Sequence, residues 1–169
     1  MFPDDLRQTA ERLLAEFRRR DLKLATAESC TGGLIAGLLT EVPGSSDVVE
    51  RGWVTYSNEA KSDCLGVHTD LLARHGAVSR EVARAMAEGA LVHSDADISI
   101  AVTGVAGPAG GSSEKPVGLV HIAAARIGGQ SLDRECRFGD IGRGAVRLAA
   151  VRGALDLLQR ALADDPARA

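Results

Sequence analysis

Two stretches of nearly unbroken apolar residues do most to restrict what this chain can become. Residues 97–103 contain Ile98, Ile100, Ala101 and Val102 in close succession, and residues 117–125 form a second run of the same kind. Strands with one wet face alternate apolar and polar residues, whereas strands covered on both faces do not. Both runs therefore predict strands at the centre of a sheet with helices above and below it.

The rest of the chain supplies those helices and the outer strands. Residues 4–20 place Leu6, Ala10, Leu13, Leu14 and Phe17 at helical spacing, with Arg18, Arg19 and Arg20 in the last turn, where cations suit the helix dipole. A short apolar strand is expected over Leu22–Ala27, an apolar helix over residues 34–39 ending near Pro43-Gly44, and a β-rich segment over 48–56. A helix is expected to start at Asn58 and another short one to lie around 70–74. Ser79 suits the N-cap of a helix presenting Val82, Met86, Ala90 and Leu91, with Glu81 in its first turn. A more polar strand over 131–138 and a helix over 145–162, carrying Val151, Ala154, Leu155, Leu158 and Leu162, complete the pattern. Helices and strands alternate, so the expected fold is α/β: a single-domain, three-layer α/β/α sandwich with a mixed sheet. It occupies residues 1–169 with a core of about 6–162, and the tail from Ala163 is expected to fray. No repeat or linker is evident.

Composition narrows the functional class. Hydrophobic residues make up 45% and charged residues 25% of 169, and the formal net charge is -3. That balance is globular and argues against nucleic acid as the partner. Glycine occupies 19 positions and aromatics only 3%, a combination that favours tight turns and close backbone approach to a ligand. The cysteines, Cys30, Cys64 and Cys136, are odd in number and form no CxxC pair, which fits a reducing compartment. The first residues carry no leader pattern and no stretch is apolar enough to span a membrane, so a cytoplasmic protein is expected.

Four segments could carry chemistry. Ala27-Glu28-Ser29-Cys30-Thr31-Gly32-Gly33 joins a strand to a helix. Ligands in α/β folds bind beyond the carboxyl ends of strands, and a helix start there offers free N–H groups to an anion or oxyanion. Ser29 could attack a carbonyl held by those amides. Equally, Ser29 or Thr31 could simply cap the helix. Cys30, a thiol at the same turn, ranks below Ser29 because no histidine is placed to serve it. In Trp53-Val54-Thr55-Tyr56-Ser57-Asn58-Glu59-Ala60-Lys61, Lys61 falls near a helix start, where the dipole and burial would lower its pKa and fit it as a general base. The alternative is an ordinary exposed lysine, with Tyr56 a half-buried strand residue.

The third segment, Thr103-Gly104-Val105-Ala106-Gly107-Pro108-Ala109-Gly110-Gly111, runs from a strand end into a loop whose amides could cradle a phosphate, although it is neither a P-loop nor a dinucleotide fingerprint. The fourth, residues 137–147, puts Arg143 and Arg147 four apart at a helix start, where both could face a phosphate or carboxylate, or simply solvent. The histidines form no metal-binding pattern, so no metal and no cofactor is expected.

Together the segments AESCTGG, VTYSNEAK, TGVAGPAGG with EKPVG, and the later FGD with its arginines resemble the CinA C-terminal domain family over roughly residues 6–162. The resemblance implies hydrolysis of the carboxamide of nicotinamide mononucleotide by a serine–lysine mechanism without metal. Carried onto this chain, it implies Ser29 as nucleophile and Lys61 as base. Tyr56 and Thr103 would share the site, the glycines 32, 33, 104 and 107 with Cys30 and Thr31 would supply backbone contacts, and Arg143 and Arg147 would meet the substrate. Ile141-Gly142 stand between Asp140 and Arg143, where many relatives place the arginine directly after the Gly-Asp pair. The partner expected is a small pyridine nucleotide, with no nucleic acid or membrane, and the assembly expected is a homo-oligomer. The competing reading is a non-catalytic nucleotide- or partner-binding module of the same fold, in which Ser29 is only a cap. Another small-amide hydrolase would use the same machinery.

Overall fold

A computed structural model describes residues 1–163. Five strands form one mixed sheet: β1 (Leu24–Glu28), β2 (Val49–Val54), β3 (Ile98–Gly104), β4 (Leu119–Arg126) and β5 (Leu132–Arg137), in the order β2-β1-β3-β4-β5. β1 runs parallel to both β2 and β3, while β4 pairs antiparallel with β3 and with β5. One layer of helices holds α1 (Asp4–Arg19), α2 (Leu34–Thr40) and α6 (Arg143–Ala163). The other holds α3 (Asn58–Leu65), α4 (Thr69–His75) and α5 (Arg80–Val92). The chain is thus the three-layer sandwich that its patterning requires. The expectation for the tail beyond Ala163 lies outside the described residues, and Ala163 itself closes α6.

The two faces of the central strands differ in size. Ile98, Ile100 and Val102 of β3 point into the cluster with α1, α2 and α6, as do Val120 and Ile122 of β4. On the opposite face Ala101, Ala123 and Ala125 meet α5, and Ser99 Oγ donates to the Ala87 carbonyl at 2.6 Å. Small side chains let α5 lie close to the sheet, which is where the shortage of aromatic residues goes. At Gly89 of α5 the approach is closest: a Cβ there would stand 1.9 Å from the carbonyl oxygen of Leu65, the last residue of α3. Ser79 caps α5 through the Val82 amide and Ser57 caps α3 through the Ala60 amide, so each helix starts directly after a serine.

Several boundaries differ from expectation for local reasons. The strand expected from Leu22 begins at Leu24, because Asp21 takes a left-handed φ of 53° and Lys23 N–H donates to Asp97 Oδ2. The strand expected from Val117 begins at Leu119, because Gly118 turns at φ 87° directly against Gly139, where no Cβ would fit. The last helix starts two residues early, at Arg143.

Candidate active site

The parallel pairing of three strands gathers the site. Glu28 of β1 is level with Val54 of β2 and Val102 of β3. The residues that follow, Ser29, Thr55 and Thr103, therefore stand side by side at that end of the parallel strands, 26 and more positions apart in sequence but adjacent in space. The ladder still holds their backbones, with Ser29 N–H donating to Val102 O at 2.9 Å and Thr55 N–H to Glu28 O at 2.8 Å.

Alternation along a strand sends consecutive side chains to opposite faces, and here it divides two tasks. Glu28 points toward α2 and Ser29 toward α3. Glu28 is fully buried, and its carboxylate accepts from the amides of Gly33 (3.1 Å), Ile35 (3.0 Å) and Ala36 (2.9 Å). It is the cap of α2, placed one residue before the nucleophile candidate. This decides between the two readings of the turn: neither Ser29 nor Thr31 caps the helix. Ser29 Oγ meets Lys61, and Thr31 Oγ1 is buried without a partner.

Lys61 is 1% exposed. It is not the surface lysine of the alternative reading, because the first turn of α3 turns it inward over the end of the sheet. Its Nζ lies 3.1 Å from Ser29 Oγ, 2.8 Å from Thr55 O and 3.4 Å from Ser57 O. No carboxylate pairs with it among the described residues. Burial pushes its pKa below the ordinary 10.5, with the neighbouring Cys30 acting in the opposite direction. Cys30 is itself driven the other way, up to about 11, chiefly by burial, which keeps it a thiol, and it is Ser29 whose side chain meets Lys61 Nζ.

A cleft of about 290 Å³ opens over the pair. Ser29, Cys30, Tyr56, Lys61, Thr103 and Arg143 line it, with the backbone of Gly104, Gly107 and their loop on one side and Ala77 and Val78 on another. Tyr56 is 59% exposed and lies beyond the end of β2, not half-buried within it. Its hydroxyl accepts from Arg143 Nη2 at 2.8 Å, while Arg143 Nη1 donates to Gly107 O at 2.9 Å. Thr103 Oγ1 donates to Ala77 O at 2.9 Å, fixing the opposite wall. Cavities of about 440 Å³ between α3 and α4, about 380 Å³ beside the β4–β5 turn and about 350 Å³ lined by His68 and His93 are larger, but none of the three is lined by a lysine.

Four expected site residues stand behind the cleft instead of on it. Gly32 N–H is engaged by Ser29 O and Gly33 N–H by Glu28, so the free amides expected of these glycines are not free. Thr31 is buried in the turn. Arg147 does not share a face with Arg143: its Nε donates to Cys30 O at 3.1 Å and its Nη2 to Thr31 O at 2.9 Å. Glu28 was not singled out as functional by sequence reasoning. The available signal was an acidic residue closing an otherwise apolar strand, just before a helix with no acid in its first turn.

Fold and site together define a class: an α/β sandwich with a serine and a buried, unpaired lysine at the parallel ends of its sheet. The chain belongs to the CinA C-terminal domain family, whose model matches residues 6–162. It is 47% identical over 159 residues to the nicotinamide-nucleotide amidohydrolase PncC of Escherichia coli strain K12, covering 94% of this chain and 95% of that protein. It is 58% identical over 127 residues to a putative competence-damage inducible protein of Symbiobacterium thermophilum, of which it spans only 29%. Among solved structures, the competence/damage inducible protein CihA from Agrobacterium tumefaciens superposes with a TM-score of 0.94 at 56% identity, over 97% of this chain and 99% of that one. Among the described residues no helix is long and apolar enough to cross a membrane, and no group of three or more His, Cys, Asp or Glu could hold a metal ion.

Proposed function

We propose that this protein is an amidohydrolase that converts nicotinamide mononucleotide to nicotinic acid mononucleotide and ammonia, as a step in pyridine nucleotide salvage. The observation that carries the chemistry is the 3.1 Å contact between Lys61 Nζ and Ser29 Oγ at the floor of the cleft. A neutral amine has two N–H bonds and one lone pair. The carbonyls of Thr55 and Ser57 take the N–H bonds, and the lone pair accepts the Ser29 hydroxyl proton. As that proton moves to Lys61, Ser29 Oγ bonds to the carboxamide carbon. The tetrahedral intermediate expels the amide nitrogen, which leaves as ammonia with the proton returned from Lys61. Water, deprotonated by the same amine, then cleaves the acyl-Ser29 ester and releases the carboxylate product. The contact is direct, so the transfer needs no relay through Tyr56.

The choice of a nucleotide as substrate is supported by the PncC relative's name and by Arg143. That guanidinium lines the cleft, pairs with no carboxylate among the described residues, and keeps N–H groups free for phosphate. The test is ammonia release from nicotinamide mononucleotide by the wild type and by Ser29→Ala and Lys61→Ala proteins. Both substitutions should abolish turnover, with losses of about 10³-fold or more. Full activity in both variants would overturn the dyad. Binding without turnover by the wild type would assign the chain to the non-catalytic class.

A further inference from the structure

The backbone amides of the Ser29 turn are engaged by protein oxygens with two exceptions. Among the amides from Ser29 to Ala36, Ser29 donates to Val102 O, Gly32 to Ser29 O and Leu34 to Thr31 O. Gly33, Ile35 and Ala36 donate to Glu28. Only the N–H groups of Cys30 and Thr31 meet no protein oxygen among the described residues, and that of Cys30 lies against its own thiol sulfur. On the acceptor side, the carbonyls of these same two residues are held by Arg147.

We propose that Glu28 and Arg147 are a pair of positioning residues that clamp the nucleophile turn from opposite sides, one through its amides and one through its carbonyls, so that the Cys30 and Thr31 N–H groups are held open as the oxyanion donors. Arg147 on this view is not a substrate ligand. The inference rests on the amidohydrolase reading of Ser29.

The chemistry of the clamp is specific. Three N–H donors converge on one carboxylate, and only an acceptor without hydrogens suits all three. A glutamine there would turn an N–H toward an N–H. The α2 start also carries partial positive charge, which Glu28 takes up. The developing oxyanion is therefore left to the two open amides nearest Ser29 and not to the helix end. On the other side a planar guanidinium spans two successive carbonyls, a contact that the single ammonium of lysine cannot reproduce. A Cβ on Gly32 would lie 3.2 Å from Arg147 Nη2, so the turn already fits tightly against its clamp.

Steady-state kinetics on nicotinamide mononucleotide with Arg147→Lys and Glu28→Gln tests this. Each variant should lose about 100-fold in kcat, the scale of a misplacement near 1 Å, with KM within about threefold of wild type. A substrate-binding Arg147 would give the opposite split: lysine would keep the charge and most of kcat, and KM would rise. That result, or unchanged kinetics in Arg147→Lys, overturns the proposal. If Glu28→Gln does not fold, Arg147→Lys alone decides. Amide hydrogen exchange separates this inference from the substrate reading. If the wild type releases no ammonia, the substrate reading has failed. The clamp then stands only if Arg147→Lys speeds exchange at Gly32 and Leu34, whose partners are carbonyls of the turn, and falls if exchange there is unchanged.

Discussion

Lys61 Nζ and Ser29 Oγ lie 3.1 Å apart with both residues buried, and the nearest other partners of the lysine are neutral carbonyls. A lysine in that setting is destabilised as a cation, and its pKa falls below 10.5 because burial removes its water. Activity through the free amine must therefore rise with pH and level off above that depressed pKa. The expected profile of kcat/KM from about pH 5 to about pH 11 is a single ascending limb with unit slope and then a plateau. An inflection at or above the ordinary lysine value would contradict the assignment.

The same group links stability to pH, with a definite sign. Between the depressed folded pKa and 10.5, Lys61 is neutral when folded and protonated when unfolded, so the unfolded chain binds the extra proton. Stability from this site then increases with pH at up to ~1.4 kcal/mol per pH unit across that window. Lys61→Met removes the dependence. Melting temperatures of wild type and Lys61→Met taken at several pH values should show the wild type gaining on the variant as pH rises. A constant difference would mean the two lysine states fold alike.

Arg143 touches Tyr56 and Gly107 but no acid among the described residues. Arg143→Ala should raise KM for nicotinamide mononucleotide about tenfold to hundredfold, corresponding to the ~1.5–3 kcal/mol of a charge-assisted hydrogen bond, with a smaller change in kcat. Added inorganic phosphate should compete with substrate in the wild type and lose its effect in the variant. Inhibition of equal strength in both proteins would place the anion elsewhere.

Gly89 faces the Leu65 carbonyl so closely that an added methyl has nowhere to go, and the obstacle is backbone rather than a flexible side chain. Gly89→Ala should destabilise by about 1–3 kcal/mol despite the better helix propensity of alanine. Chemical denaturation measures this directly. A stabilised Gly89→Ala would show that α3 and α5 can part without loss.

Much of this was legible in the sequence, because it depends on local periodicity. The continuous apolar runs around Ile100 and Ile122 announced strands with two covered faces, and Ser79 marked a helix start. Strand order and the meeting of Ser29 with Lys61, 32 positions away, depend on long-range pairing that no local pattern encodes. The family resemblance supplied that pairing as an expectation. Glu28 went unnoticed, and Arg147 was expected to face the cleft, for a related reason. An acid at a strand end and an arginine near a helix start both look like surface or ligand charges until the backbone atoms they grip are known.

The small-residue face of the sheet bears on the Lys61–Ser29 contact from a distance. Lys61 and Leu65 are successive inward turns of α3, and Leu65 rests on the bare backbone of α5 at Gly89, which in turn lies on Ala101 and Ser99. The thickness of that layer fixes how far α3 stands from the strand ends, and so how far the amine must reach. In the proposed mechanism, side-chain volume in the middle of the sheet would thus act as a spacer for proton transfer, and positions that touch no substrate would set the length of the Lys61–Ser29 hydrogen bond.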